Sequence, residues 1–492
     1  METEIKLALD PALASRLRRH PLLRGIKPVR RQLLSHYFDT PEFDLMRRRV
    51  ALRVRHVGRV WVQTLKAETR TVGALSTRPE WEARVRGPAP HLGLLPEEAR
   101  ALLDGIDPQR LGVVFSTDFR RTAWLVSMAG TDMELALDEG QVRAIGSSRP
   151  LSEIEIELRA GPVEALHELA LQLLDSLPMT PEPRSKAQRG YVQAGAQQSA
   201  PVKIPAPAVR PDERAGEVWR SALAAALTQF TGNLPGYLEQ PEDLEYLHQL
   251  RVAARRLRAL AGLAPSLGLV RPPWLDELRS LMASLNPARD WDVLLDETLP
   301  AAAESLADAP LCAALLAVLD TRSRQARCLA QAALAAATRL VLEIESSLVR
   351  PLEVGEDVRA WAGEVLDKRW RILRKGGAAF EHLDESGRHE LRLAAKKLRY
   401  AADPFVPMAG RRGQTFMTAL SGLQDRLGAA NDAVVARRLL ADVAAERPEL
   451  AFEAGCLAGA VAALAVRKEH NTEKIGRALK VKPFWQVPSP GG

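Results

Sequence analysis

The sequence predicts a multidomain α+β chain, with a β-rich N-terminal half that closes as a barrel or sandwich and a C-terminal half made of helices. Three observations carry this. Residues 1 to about 193 hold seven stretches with period-two alternation or β-branched enrichment. Residues 194–216, AGAQQSAPVKIPAPAVRPDERAG, have no core pattern and read as a linker. Beyond them, HQLRVAARRLR at 248 recurs as HELRLAAKKLR at 389, an internal duplication.

The chain has 492 residues, too long for one ordinary core. Hydrophobic residues at 46% and charged residues at 26% are those of a water-soluble globular protein. A net charge of +7 favours polyanionic partners. Cys312, Cys328 and Cys456 sit apart in Ala/Leu-rich sequence and are expected as buried free thiols, with no Cys/His spacing for zinc. The start METEIKLALD has no apolar core of a secretory signal, and no uninterrupted apolar run reaches the ~18 residues of a membrane span. A cytoplasmic protein is expected.

In the first half the expected strands are ETEIKLAL, VALRVRHV, RVWVQTLKA, RPEWEARV, TAWLVSMAG, DMELALDEGQVRAI and LSEIEIELRA. DPALASRLRRH opens with an Asp cap and a Pro at the first helical position, so a helix follows the first strand. A second amphipathic helix starts at Val163. Helices are expected almost throughout 217–479, punctuated by turns at Pro235, Pro265, Pro272, Pro310 and Pro351, with a loose tail at 480–492.

Alternation makes the strands informative about chemistry. Glu2, Glu4 and Lys6 point to one face about 6.6–6.8 Å apart. Glu153, Glu155 and Glu157 share a face, while Ile154, Ile156 and Leu158 point the other way. Arg53 and Arg55 alternate likewise, as do Arg78, Glu80, Glu82 and Arg84. Carboxylates lining a barrel interior call for a neutralising hard divalent cation, and an Arg/Lys-rich side suits phosphate oxygens.

In the helical half, His248, Arg251, Arg255 and Arg258 form one stripe, although like charges four apart repel by about 0.2–0.5 kcal/mol. No acid lies between Glu245 and Asp276. Across an offset of 141 residues, His248, Arg251, Arg255, Arg256 and Arg258 map onto His389, Arg392, Lys396, Lys397 and Arg399. Leu250 and Leu257 map onto Leu391 and Leu398, and Asp290 onto Asp432. Both copies keep a core stripe and a cationic stripe, which points to a polyanion held between two facing helices.

The ordered series ETEIK, YFDT (37–40), LRVR (52–55), WVQTLK (61–66), RPEWE (78–82), ALDEG (136–140), EIEIEL (153–158) and SKAQRGY (185–191) resembles the CYTH family, the triphosphate tunnel metalloenzymes. It covers almost all of 1–193. The duplicated helices of 217–479 resemble the CHAD domain, described as two pseudo-symmetric helical bundles that bind polyphosphate. The pair resembles a bacterial inorganic triphosphatase architecture. The resemblance implies an eight-stranded antiparallel tunnel with flanking helices, using Mg²⁺ or Mn²⁺. It implies catalytic Glu2, Glu4 and Lys6. Metal would be held by Glu2, Glu4 and, at lower weight, Asp138, with Glu153, Glu155 or Glu157 opposite them. Phosphate would be held by Lys6, Arg53, Arg55, Lys66, Lys186 and one of Arg120 and Arg121, and Glu80 and Glu82 would be supporting partners. Polyphosphate would lie on the ten mapped His, Arg and Lys residues.

Charge then suggests the reaction. Cations and metal neutralise a triphosphate, and water attacks a terminal phosphorus to give pyrophosphate and phosphate. The rivals are a class IV adenylate cyclase, a thiamine triphosphatase, and a binding protein of polyphosphate granules that catalyses nothing. Specific nucleic-acid binding is disfavoured, because the basic helices lack interleaved aromatics. No membrane partner is expected.

Overall fold

The computed structural model describes residues 2–67, 70–210, 212–304, 313–350, 352, 355, 357–378, 380–469 and 481–486. Two compact units emerge. The first comprises Met1–Val202, Leu227–Gln240 and Ala335–Arg350, and the second Lys203–Ala226, Pro241–Leu334 and Pro351–Gly492.

In the first unit the strands are β1 (Glu2–Leu9), β2 (Val29–Asp39), β3 (Val50–Val57), β4 (Val60–Ala67), β5 (Arg70–Val72), β6 (Leu75–Arg78), β7 (Glu80–Val85), β8 (Gly112–Met128), β9 (Thr131–Ala144), β10 (Ser147–Ala160) and β11 (Met179–Pro181). They form one antiparallel sheet in the order β5-β6-β1-β10-β9-β8-β2-β3-β4-β7, with β11 also on β1. The sheet curls. β6 pairs with β1 and β7 pairs with β4, and only Pro79 separates β6 from β7. Counted as one strand bent at this proline, β6–β7 joins β1, β10, β9, β8, β2, β3 and β4 as the eighth member of a ring. Proline cannot donate to a ladder, so the strand is interrupted there. β2 was not among the strands read from the sequence, because Arg30, Arg31 and Gln32 hide its apolar alternation.

Alternation sorts the faces. Outward-pointing Ile5, Leu7, Leu135, Leu137, Ile154 and Ile156 are fully buried with Leu166, Leu169 and Leu173 of the Glu164–Leu174 helix. Acids and cations take the inner face. There Leu33, Phe119 and Leu151 form a small apolar cluster, and Arg55, Arg121 and Lys186 stand 5.8, 5.9 and 5.1 Å from the Phe119 ring centre. The Lys186–Gln193 helix opens with a capping box at Ser185 and Gln188. It approaches β8 so closely that a Cβ on Gly190 would lie 2.0 Å from the Phe115 ring. The Tyr191 hydroxyl donates to Asp39 (2.8 Å), whose carboxylate also accepts from the Thr40, Leu45 and Met46 amides. The YFDT stretch therefore pins this helix.

In the second unit the two repeated segments are the helices Leu244–Ala261 and Glu385–Ala402, capped by Asp243 and Asp384. Leu250, Ala253 and Leu257 on the first, and Leu391, Ala395 and Leu398 on the second, are buried. The long run Val406–Glu446 breaks at Gly410, where φ is 53°. Several expectations are corrected. Pro235 lies inside the Ala215–Glu239 helix instead of marking a turn. Cys328 and Cys456 are exposed, not buried, and Cys312 lies outside the described residues. Part of the expected loose tail is packed: Phe484 and Trp485 stack edge-on against Phe416, and Trp485 donates to Asp367 at 2.8 Å. By length and composition one described helical stretch, Pro448–Ala465, could cross a membrane (mean hydropathy 1.3). Glu449 and Glu453 interrupt it, and Val461, Leu464 and Ala465 line a cavity of the second unit.

Candidate functional site

The curled sheet encloses a pocket of about 470 Å³. Glu2, Glu4, Lys6, Arg53, Arg55, Lys66 and Lys186 line it, and of the alternatives the sequence leaves open Arg121 and Glu155 line it too. Two clusters form. In the first, Arg78 joins Glu2 (Nε, 2.8 Å) to Glu4 (Nη2, 2.7 Å), and Lys66 Nζ lies 2.8 Å from Glu2 and 2.9 Å from Glu80. Lys6 stands 3.4 Å from Glu4. Burial raises the Glu2 pKa, but Lys66 and Arg78 outweigh it and hold the carboxyl below its ordinary value. In the sequence, alternation groups Arg78 with Glu80, Glu82 and Arg84, and nothing local signals its bond to the first strand.

In the second cluster, buried Asp138, Glu153 and Glu155 each offer an oxygen within 4.8 Å of the others. Lys186 Nζ bridges them, 2.7 Å from both Asp138 and Glu155 and also bonded to Glu153. Arg121 binds Asp138 and Glu155, and Arg189 binds Glu153. Burial opposes ionisation of Asp138 and Glu155, yet the cations hold both pKa values low. Three close carboxylates offer the hard oxygen donors that Mg²⁺ or Mn²⁺ takes, so this set fits a divalent ion. Arg189 lies in the SKAQRGY stretch, where no spacing in the sequence signals its bond to Glu153.

The structure separates residues that periodicity could not. Arg121 turns inward, whereas Arg120 is exposed and pairs with Glu139 at 3.4 Å. Glu157, which the sequence grouped with Glu153 and Glu155, stands apart from the pocket lining and bonds Arg159 at 2.8 Å. Burial, with Glu2, Glu134 and Glu4 nearby, pushes its pKa up to about 7 against the pull of Arg159. β10 is also the ladder neighbour of β1, with Glu4 beside Glu157 and Lys6 beside Glu155, and so does not stand opposite it.

The cations of this pocket are not fully balanced. Arg53 faces Glu80 at 3.3 Å and Glu82 at 3.9 Å, but its buried Nε has no partner. Among the described residues Arg55 has no carboxylate partner; its Nε donates to Ser35 Oγ at 2.9 Å. Burial, Arg53 and Arg121 push the Arg55 pKa down to about 9. Tyr37 also lines the pocket. Burial would raise its pKa, but Arg53, Arg55, Lys186 and Lys66 lower it.

The second unit holds a cavity of about 1270 Å³. His248, Arg251, Arg255 and Arg258 line it from one repeat, and His389, Arg392, Lys396, Lys397 and Arg399 from the other. Arg255 Nε donates to Tyr400 Oη at 2.9 Å, linking the two helices. Arg256 is a correction. It faces away, donating to the Ile204 carbonyl at 2.7 Å and lying 3.4 Å from Asp403. The buried Arg392 Nε has no partner. Burial, then Arg392 and Arg255, push the Lys396 pKa down to about 7. Burial and Arg255 likewise push Arg251 down to about 10. The repeated acids sit beside these cations, with Asp432 3.9 Å from Arg392 and Asp290 3.7 Å from Arg438.

Comparison with known proteins gives two domain matches, CYTH over residues 1–191 and CHAD over residues 221–441. An inorganic triphosphatase of Haemophilus influenzae is 32% identical over 200 residues, which is 39% of this chain and 54% of that protein. The chain thus spans about half the length of this relative. An uncharacterized protein of Mycobacterium tuberculosis is 27% identical over 93% of both chains. The crystal structure of the CHAD domain from the plant Ricinus communis matches 58% of this chain and 98% of its own, with a TM-score of 0.50 and 27% identity.

Proposed function

We propose that this chain, which carries a CYTH domain followed by a CHAD domain, is a metal-dependent inorganic triphosphatase that binds polyphosphate through its helical half and works in the cytoplasm. The observation that carries the reading is the pocket of the curled sheet. It sets Glu2, Glu4 and Glu155 beside Arg53 and Arg55, two partly buried guanidiniums: Arg53 leaves its Nε unpaired, and Arg55 meets no carboxylate among the described residues. An anion-binding protein alone has no use for so many carboxylates.

The chain's own residues do most of the work. Arg55 and Arg53 receive phosphate oxygens, and Lys66 and Lys6 add charge where negative charge accumulates on the phosphoryl group. Such contacts act in ground and transition states alike, so they affect binding and turnover together. Glu2 and Glu4, or Asp138, Glu153 and Glu155, would hold Mg²⁺ or Mn²⁺, which supplies Lewis-acid neutralisation of the triphosphate. Lys186 and Arg121, which bond these same carboxylates, would be available to phosphate oxygens where an ion took their place.

In the second unit, two cationic helices face one cavity; burial and neighbouring cations lower the proton affinity of Arg251, and burial with Arg392, Arg255 and Arg251 lowers that of Lys396. A flexible polyanion relieves that repulsion, and its binding should weaken steeply with salt. Similarity to a protein named as an inorganic triphosphatase supports an inorganic substrate for this chain over a nucleotide.

A phosphate-release panel with Mg²⁺ or Mn²⁺ tests the reading. Tripolyphosphate should outpace long-chain polyphosphate, ATP and thiamine triphosphate, yielding pyrophosphate and phosphate in equal amounts, and chelation should stop the reaction. Preference for ATP, or release that persists under chelation, would overturn it.

A further inference from the structure

Arg78, which ties Glu2 to Glu4, sits on a precarious support. β6 has four residues and β5 three, and a hairpin this short is marginal alone. Pro79 interrupts the strand on the far side of Arg78. Along the other edge, register with β1 sets Ser76 against Glu4 and Arg78 against Glu2, and the Lys6 amide donates to the Ala74 carbonyl at 3.1 Å. Any slide of this hairpin moves Arg78 relative to both acids.

The first unit fixes the hairpin tip from outside the sheet. Gly73 and Ala74 form its two-residue turn, with Gly73 at φ +65° as such turns require. Ala74 is fully buried, so its N–H cannot reach water; it donates instead to Glu345 Oε2 at 2.8 Å. Glu345, on the Thr338–Val349 helix, is itself fully buried, and its other oxygen lies 3.1 Å from Nε2 of buried His167. The fit is close: a Cβ on Gly73 would lie 2.1 Å from Glu345 Oε2. A second strap, Thr228 Oγ1, donates to the Thr71 carbonyl at 3.1 Å. Both straps come from segments 227–240 and 335–350, far downstream in sequence yet part of this unit.

We propose that Glu345 is a positioning residue for the Glu2–Glu4 pair, acting through the β5–β6 hairpin and Arg78, so that the affinity of these acids for a divalent cation depends on a residue more than 300 positions away. This rests on the triphosphatase reading for its activity measurements but not for its binding measurement.

The test uses the full chain and compares Glu345→Ala and Glu345→Gln with the unaltered protein. Gln keeps an oxygen for the Ala74 amide, and Ala removes it. Mn²⁺ binding is measured by calorimetry without substrate, and tripolyphosphate hydrolysis is titrated with Mn²⁺. Glu345→Ala should weaken Mn²⁺ binding about 10–100-fold, the range found when a residue supporting metal ligands is removed. Turnover should recover to within about twofold at saturating Mn²⁺, and Glu345→Gln should restore affinity. Unchanged Mn²⁺ affinity in Glu345→Ala, or a Gln variant as weak as Ala, would overturn the proposal. If Glu345→Ala does not fold, Thr228→Val carries the test, with a smaller loss of Mn²⁺ affinity expected and none overturning it. Absence of hydrolysis by the unaltered protein would count against the triphosphatase reading alone, because calorimetry still reads the positioning effect.

Discussion

Glu4 and Arg55 lie at opposite ends of the charge accounting in the sheet pocket. Glu4 is buried and held by Arg78 and Lys6, so Glu4→Gln keeps shape and loses charge. Metal-dependent hydrolysis should fall at least about 100-fold while circular dichroism stays unchanged, as expected for a group acting in the transition state. Near-normal turnover would remove Glu4 from the site. Among the described residues Arg55 has no carboxylate partner, so Arg55→Met should raise the unfolding midpoint by about 2–4 °C while crippling substrate binding. A lower midpoint would mean that the cation is satisfied after all. Lys396 makes a prediction about pH. Its pKa falls from 10.5 to about 7 in the folded chain. Between those values the unfolded chain holds the proton and the folded chain does not, so stability without ligand rises with pH across that window. Polyphosphate restores the proton, so its affinity should fall as pH climbs above about 7. Lys396→Arg, charged throughout, should flatten that slope. His248 faces the same cavity and titrates below 6.5, since burial and Arg289 lower it, and Asp290 and Asp432 are raised mainly by burial. A slope unchanged in Lys396→Arg would assign it to one of those groups. Much of this was legible in the sequence, because alternation places Glu2, Glu4 and Lys6 on one face of β1 and Arg53 and Arg55 on one face of β3, and the family resemblance turns both faces inward. The choice between Arg120 and Arg121 was not. Each has an acid as its ladder partner, Glu139 and Asp138, and only the register and curl of the sheet decide which pair looks inward.

At the scale of elements, the repeated helices show what pattern can and cannot reveal. The stripe His248, Arg251, Arg255, Arg258 and its copy do line one cavity. Alignment pairs Arg256 with Lys397, but the copies differ here: Lys397 lines the cavity, whereas Arg256 bonds the Ile204 carbonyl and lies beside Asp403. Replacing Arg251, Arg255, Arg392 and Lys396 together by Ala should abolish retention on long-chain polyphosphate while tripolyphosphate hydrolysis survives. The helical unit should also unfold at a higher temperature, since like charges held together are removed. Retention with unchanged affinity and salt dependence would reduce the stripe to solvated surface. β2 went unread for a related reason: a strand whose exposed end carries Arg30, Arg31 and Gln32 does not alternate visibly until Leu33.

At the scale of the whole molecule, sequence composition puts a break at 194–216, while compactness gathers 227–240 and 335–350 into the first unit. Composition sees local polarity and cannot see a buried carboxylate 271 residues from the amide it accepts from. A chain ending at residue 202 therefore lacks both hairpin straps, and its tripolyphosphatase activity should need at least about tenfold more Mn²⁺ than the full chain. Equal metal dependence would show that the tunnel sheet is self-sufficient. The bend at Pro79 has a consequence of another kind. Every other joint of the ring is a ladder of paired amides, but here the chain contributes a carbonyl, accepting from Ala67 at 3.3 Å, and no N–H. Fluctuations that loosen a closed sheet start where fewest bonds must break together, so the ring has a built-in seam. In deuterated solvent, the amides of Leu75 to Arg78 should exchange well before those of β8, β9 and β10, and the order of exchange would trace how the closed sheet breathes.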